Sequence, residues 1–73
     1  LRFDGTRLAQ ALEEVERKYN VKIECSDEIR NCGITADLNN EGLDKVLRIL
    51  AKIINGSVSY ENKRYFLNGD GCN

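Results

Sequence analysis

The residues of this chain that could do chemistry are three cysteines and a set of carboxylates. Cys25 and Cys32 lie seven residues apart, and Cys72 is next to the end of the sequence. The sequence contains no histidine and no CxxC pair, which argues against a zinc site, so we predict no metal ligands. A cysteine nucleophile also needs a base beside it, most often a histidine. The three thiols therefore predict neither a catalytic residue nor a cofactor.

The remaining signatures of catalysis are missing too. No GxxxxGK[ST] or GxGxxG phosphate-binding loop is present, and Gly69-Asp70-Gly71 does not open a predicted helix. Five carboxylates have ordinary surface explanations: Glu13, Glu14, Glu16, Asp27 and Glu28. We therefore predict that the chain is not an enzyme.

The oxidation state of the cysteines has two readings. A disulfide between Cys25 and Cys32 would close a short loop and contribute about 2–3 kcal/mol in the chain-entropy model. Alternatively, all three cysteines are free thiols, and Cys25 is a small core residue. The spacing is compatible with both states.

Length and composition describe one small domain. The 73 residues are 41% hydrophobic and 32% charged, which is ordinary for a soluble globular unit. The net charge is −1 with the two signs interspersed, which argues against an electrostatic nucleic-acid or membrane surface. No apolar run approaches the roughly 20 residues that span a bilayer. Because the chain starts at Leu1 and contains no methionine, we expect it to be a piece of a longer protein.

The hydrophobic pattern predicts the elements that would position these residues. Helices are predicted over residues 7–19 and 43–54, and strands over residues 1–3, 21–25, 34–38, 57–61 and 64–67. Residues 26–33 form the middle loop, with one helical turn expected over residues 27–29. Turns are predicted at Asp4-Gly5-Thr6 and at Asn62-Lys63, and the second of these makes the last two strands a hairpin. Thr6 or Asp4 is expected to cap the first helix, and Asn39-Asn40 the second. The second helix has an apolar stripe wide enough to be covered on more than one side. Residues 68–73 are glycine-rich and are expected to form a flexible tail of the single domain 1–73.

The two halves of the sequence resemble each other at a constant offset of 35 residues. Apolar positions match along this offset, and Asn20 matches Asn55 where each helix stops. The matching apolar pairs include Phe3 with Leu38, Leu8 with Leu43, Leu12 with Leu47, Val15 with Leu50 and Ile23 with Val58. We therefore predict an α+β fold, a duplicated βαβ-βαββ unit in which two helices pack with two small β-sheets.

The order of these motifs resembles a known family. The matching segments are Phe3-Asp4-Gly5-Thr6-Arg7-Leu8, Tyr19-Asn20-Val21-Lys22-Ile23, the stretch 34–47, and the closing Val58-Ser59-Tyr60 and Tyr65-Phe66-Leu67-Asn68-Gly69. Together they look like the C-terminal domain of FecR-type anti-sigma regulators, which is similar to the short N-terminal domain of secretins and TonB-dependent receptors. The chain departs from the family where Arg7 replaces a frequent proline, and at Cys25 and Cys32 around the middle loop.

The resemblance implies a role in signalling. The parent would be a single-pass inner-membrane protein whose cytoplasmic segment controls a sigma factor. This piece would be its periplasmic domain, and it would receive a signal from an outer-membrane TonB-dependent transducer of a siderophore or glycan. The periplasm permits disulfides, so the cysteines do not oppose this location.

Two other functions are compatible with the pattern. The same fold could serve as the N-terminal signalling or assembly domain of a TonB-dependent receptor or secretin. A small nucleic-acid-binding module is the second alternative, with Arg64-Tyr65-Phe66 as its weak aromatic and basic signal. The net negative charge opposes that alternative.

A small sheet also offers a physical mechanism for binding a protein. An open strand edge can accept a partner strand through main-chain hydrogen bonds. The last strand is the candidate, with Arg64, Tyr65 and Phe66 as the partner-binding residues. Because side chains alternate along a strand, one aromatic residue and one charge are expected to face outward together, while the other aromatic residue fills the core.

Overall fold

The computed structural model of the chain describes residues 1–72, and within them two helices and two small sheets confirm the predicted α+β class. The elements are β1 (Arg2–Arg7), α1 (Leu8–Tyr19), β2 (Ile23–Cys25), β3 (Gly33–Asp37), α2 (Leu43–Ile53), β4 (Ser57–Glu61) and β5 (Arg64–Asn68). The expected single helical turn in the middle loop is present as a 3-10 turn over Asp27–Ile29. No helix within residues 1–72 is long and apolar enough to cross a bilayer.

The sheets join the two halves of the chain. β1 pairs with β3 in an antiparallel two-stranded sheet. The three-stranded sheet has the order β2-β5-β4, with β5 parallel to β2 and antiparallel to β4. The first strands of the two halves therefore pair with each other, and the second strands lie on either side of β5.

One hydrophobic core lies between the helices and the sheets. The buried side chains of α1 are Leu8, Ala11, Leu12 and Val15, and those of α2 are Val46, Leu47, Leu50 and Ala51. Burying each large aliphatic side chain contributes about 1.5–3 kcal/mol relative to its exposed state. The wide stripe on α2 is only partly covered, because Ile49 is half-buried and Ile53 is 41% exposed.

The two helices end in the same way. Asn20 and Asn55, which follow the helices, have positive φ values of 56° and 55°. Beyond them, Val21 N–H donates to the Glu16 carbonyl at 3.2 Å, and Gly56 N–H donates to the Ala51 carbonyl at 2.8 Å. Both are the six-to-one hydrogen bond of a Schellman motif, in which asparagine tolerates the left-handed conformation.

The two helices do not begin as predicted, because neither N-cap residue, Arg7 or Gly42, makes a side-chain capping bond. The expected turn at Asp4-Gly5-Thr6 is a bulge within β1, so this strand continues to the start of α1. The first N–H groups of α1 instead find main-chain partners in the middle loop. Leu8 N–H donates to the Cys32 carbonyl at 2.8 Å, and Ala9 N–H donates to the Arg30 carbonyl at 3.0 Å.

The predicted hairpin is present at the end of the chain. Asn62 and Lys63 have positive φ values of 54° and 64°, as the two-residue turn of a hairpin requires. The turn joins the paired residues Glu61 and Arg64.

The disulfide links Cys32 to Cys72 and leaves Cys25 free, so neither state considered from the spacing is the one formed. Cys32 is buried beside the start of α1, whereas Cys25 lies on β2 beside Leu67. The segment after β5 returns along the middle loop, where Ser26 Oγ accepts from Gly69 N–H at 3.2 Å. Residues 69–72 are therefore tied at two points, which differs from the expected free tail. Asn73, the last residue of that tail, lies outside the described residues.

We expect Cys72→Ser to lower the free energy of unfolding substantially. The disulfide closes a loop with a sequence separation of 40, so the chain-entropy model gives a loss of up to about 4 kcal/mol. Urea denaturation measures the loss, and Cys25→Ser is the matched control because Cys25 is free. Equal midpoints for the two variants under oxidising conditions would contradict the pairing.

Asn55 offers a test of the helix stop. The side chain of Asn55 is exposed and its φ is 55°, in the left-handed region. Alanine tolerates this region less well than asparagine, because its methyl group cannot form the local hydrogen bonds of an amide. We expect Asn55→Ala to lose roughly 1 kcal/mol in unfolding free energy. Asn55→Gly should be close to neutral, because glycine adopts this conformation freely. Urea midpoints that fall equally for both variants would show that the side chain, not φ, matters here.

Candidate partner-binding surface

The cysteines and carboxylates are the side chains of the described residues that could do chemistry. Residues 1–72 contain no group of three or more cysteine or carboxylate side chains placed to hold a metal ion. Cys25 lines a depression of about 370 Å³ together with Asp27 and Arg30. Burial raises the pKa of the Cys25 thiol, although the nearby Arg30 acts in the opposite direction. A raised pKa keeps the thiol protonated, so Cys25 is not an activated nucleophile.

The predicted partner-binding residues lie on β5, but β5 is not an edge strand. It is the central strand of the three-stranded sheet and is hydrogen-bonded on both sides. Its backbone therefore cannot accept a partner strand. The expectation that the last strand is an open edge is wrong, because the order of strands in a sheet does not follow their order in the chain.

The side chains of these residues divide between the two faces of the sheet. Tyr65 faces the helices, where it packs against the core. Its ring centroid lies 4.6 Å from that of Tyr60 across the strand pair, and the two rings are tilted by 52°. Arg64 and Phe66 project from the opposite face by the alternation of a strand. Arg64 Nη1 donates to Glu24 Oε2 at 2.9 Å, and both side chains are more than half exposed. Such an exposed ion pair contributes at most about 1 kcal/mol.

The hydrogen bonds of β5 show which backbone groups of β4 are free. Tyr65 N–H donates to the Lys22 carbonyl at 2.9 Å, and the Leu67 carbonyl accepts from Ser26 N–H at 3.2 Å. Both groups therefore point toward β2. The backbone groups of the intervening β5 residues point toward β4, where they pair with those of Ser57, Ser59 and Glu61. The backbone groups of Val58 and Tyr60 point away from the sheet. These two residues define what we call the β4 edge.

A side chain binds one backbone group on the other edge of the same sheet. Ile23 N–H on β2 donates to Glu16 Oε2 at 2.8 Å. In the second half of the chain, Val58 occupies the position of Ile23, and Ala51 occupies that of Glu16. A buried alanine has no carboxylate to accept a bond from Val58 N–H. The second half therefore has no equivalent of the bond that Glu16 makes to the edge of β2.

Tyr60 gives the β4 edge an apolar contact site. Its side chain is 59% exposed although it neighbours Tyr65. Tyrosine offers a large contact area and a hydroxyl group, and both favour protein interfaces. The alternating pattern of Ser57–Glu61 predicts this strand correctly. The sequence does not reveal the open edge, because that depends on β5 entering the sheet between β2 and β4.

Comparison with known protein families identifies the fold. The model of the family described as FecR, C-terminal, matches residues 1–67, which confirms the resemblance drawn from the motifs. A comparison with curated proteins finds no significant match.

Solved structures share the same architecture. Two crystal structures of a candidate anti-sigma factor from Parabacteroides distasonis ATCC 8503, at 2.50 and 1.65 Å resolution, each superpose with a TM-score of 0.86. Each is 23% identical to this chain and covers 94% of it. The chain spans only 33% of each of those proteins, so the comparison describes their shared fold and not the whole protein.

The protection of Cys25 can be measured by alkylation with iodoacetamide. Burial raises the pKa of Cys25 in the folded state, so the folded protein disfavours the thiolate more than the unfolded chain does. The stability that the buried thiol contributes is fully present below the ordinary thiol pKa and is lost as the pH rises through the folded pKa. We therefore expect alkylation of the native protein at pH 8 to be several-fold slower than alkylation of the chain unfolded in urea.

Cys25→Ser is the control for this measurement, and it should incorporate no label while the Cys32–Cys72 disulfide is intact. Native Cys25 that reacts as fast as the unfolded thiol would contradict the assignment of a protonated, shielded side chain.

Proposed function

Because the chain belongs to the FecR C-terminal family, we propose that it is the signal-receiving, protein-binding domain of a transmembrane anti-sigma regulator. In this proposal the domain lies in the periplasm and binds the signalling domain of an outer-membrane TonB-dependent transducer. The remainder of the regulator passes the signal to a sigma factor in the cytoplasm. The family match supports the regulator, and the transducer, the location and the relay are the proposed part.

The observation that carries the proposal is the β4 edge. A strand of the transducer domain can join the sheet there by hydrogen-bonding to the free backbone groups of Val58 and Tyr60. The exposed ring of Tyr60 then contacts a side chain of the added strand. This mode of binding needs no reactive group, which agrees with the protonated state of Cys25.

The disulfide supports an oxidising compartment. Cys32 and Cys72 are bonded, and such bonds persist in the periplasm but are rare in the reducing cytosol. The bond also holds the segment after β5 against the middle loop.

The family match favours the regulator over the N-terminal domain of a receptor or secretin. The flanking sequence tests this choice, because a membrane helix upstream supports the regulator and a barrel downstream supports the receptor.

We expect the purified domain to bind the purified signalling domain of its transducer in isothermal titration calorimetry. Tyr60→Pro removes the N–H that points out from the β4 edge but leaves the bonds between β4 and β5. Tyr60→Ala keeps that N–H and removes only the ring. Binding should weaken for Tyr60→Ala and weaken by at least about a further tenfold for Tyr60→Pro.

Circular dichroism and urea midpoints establish that each variant is folded before binding is compared. The absence of binding heat at high concentration of two folded domains would count against the proposed function. Equal affinity of Tyr60→Pro and Tyr60→Ala would show that the partner binds elsewhere than the β4 edge.

A further inference from the structure

The exposed side of α2 carries three cations around an isoleucine. Lys45, Arg48, Ile49 and Lys52 line a shallow depression of about 440 Å³, with half-buried Ile49 as its apolar part. Ile53 follows one turn later and is 41% exposed. We call these five residues the α2 face.

The first half of the chain provides an internal control for the α2 face. The five equivalent positions on α1 are Gln10, Glu13, Glu14, Arg17 and Lys18. Each α1 residue has the same degree of burial as its α2 counterpart, but the α1 set is entirely polar and carries both charge signs. Since Glu14 and Lys18 satisfy the fold in α1, folding does not require isoleucine at positions 49 and 53. The isoleucines and the uniform positive charge therefore need another explanation.

The positive charge of the α2 face is only partly neutralised. Lys45 Nζ lies 3.6 Å from Glu41 Oε1. Among residues 1–72, neither Arg48 nor Lys52 has a carboxylate oxygen within ion-pair distance. The chain as a whole has a net charge of −1, so the positive charge of the α2 face is opposite in sign to that of the whole chain. It complements a partner with negative charge.

We propose that the α2 face binds an acidic segment of a protein partner. Carboxylates of that segment pair with Arg48 and Lys52, and one of its apolar side chains covers Ile49 and Ile53. This inference rests on the proposed function, because it names the chemistry of the partner. It adds a second contact surface to the β4 edge, on the helix that packs against β4.

The shape of the α2 face favours a protein over an anionic membrane. Its apolar floor at Ile49 is recessed between longer cationic side chains, so it accepts an inserted side chain. A helix that binds a bilayer buries a broad, protruding apolar face.

The test uses a short fluorescein-labelled peptide of alternating glutamate and leucine, with a lysine and leucine peptide as its counterpart. Fluorescence anisotropy measures binding to the whole chain at low and high salt. We expect the acidic peptide to bind, and to bind more weakly at high salt because screening reduces the attraction. The basic peptide should not bind.

Charge reversal locates the site. Arg48→Glu with Lys52→Glu should weaken binding of the acidic peptide by at least about tenfold. The matched control is Arg17→Glu with Lys18→Glu, which changes the net charge equally on α1 and should leave binding unchanged. Arg48→Ala with Lys52→Ala gives the same test if urea denaturation shows that charge reversal impairs folding. Ile53→Ala should also weaken binding, because it removes apolar contact.

Several results would overturn the inference. These are equal binding of both peptides, equal loss in the α1 and α2 variants, and no binding of the acidic peptide. Binding to vesicles containing phosphatidylglycerol without binding to the acidic peptide would identify a lipid surface instead. If the transducer domain binds wild type and the α2 variants equally, this inference fails while the proposed function stands. If the acidic peptide binds through α2 but no transducer domain associates, the proposed function fails instead.

Discussion

The structure depends on one shared hydrophobic core. Each half of the chain supplies a helix with one apolar face and short strands, and neither half has enough surface to bury that face alone. Leu8 and Val15 of α1 therefore share a core with Val46 and Leu50 of α2. The pairing of β1 with β3, and of β2 with β5, joins the halves at both sheets. The β4 edge and the α2 face are surfaces that this core does not cover.

The duplication of the chain distinguishes structural residues from others. Features that both halves share, such as the left-handed Asn20 and Asn55, serve the fold. Features found in one half only need a separate reason. Glu16 accepts a hydrogen bond from the edge of β2, whereas its counterpart Ala51 has no group that could do so for β4. Ile49 and Ile53 of α2 differ from their polar counterparts on α1 in the same way, and both differences lie on α2.

The proposed protein-binding role is consistent with the way this chain is stabilised. A small core leaves little free energy to offset a buried charge or a strained residue at a reactive site. The disulfide between Cys32 and Cys72 adds stability without any apolar surface. Cys25, the remaining thiol, is kept protonated by burial. Open strand edges and exposed helix faces need neither a buried charge nor a strained residue, because water solvates their groups until a partner binds.

Local chemistry determined the elements of this protein, and long-range packing determined its surfaces. The spacing of Leu43, Val46 and Leu50 predicts α2, and Asn62-Lys63 predicts the hairpin turn, because both depend on residues near in sequence. The offset of 35 residues predicts the duplicated plan because the same local pattern occurs twice, and the short strands with the wide stripe of α2 predict two small sheets. Strand order is not determined locally, because contacts between distant residues place β5 between β2 and β4. The open edge therefore lies at Tyr60 and not at Tyr65, where the sequence predicted it. The partner of Cys32 was also decided in three dimensions, where the returning segment brings Cys72 within bonding distance.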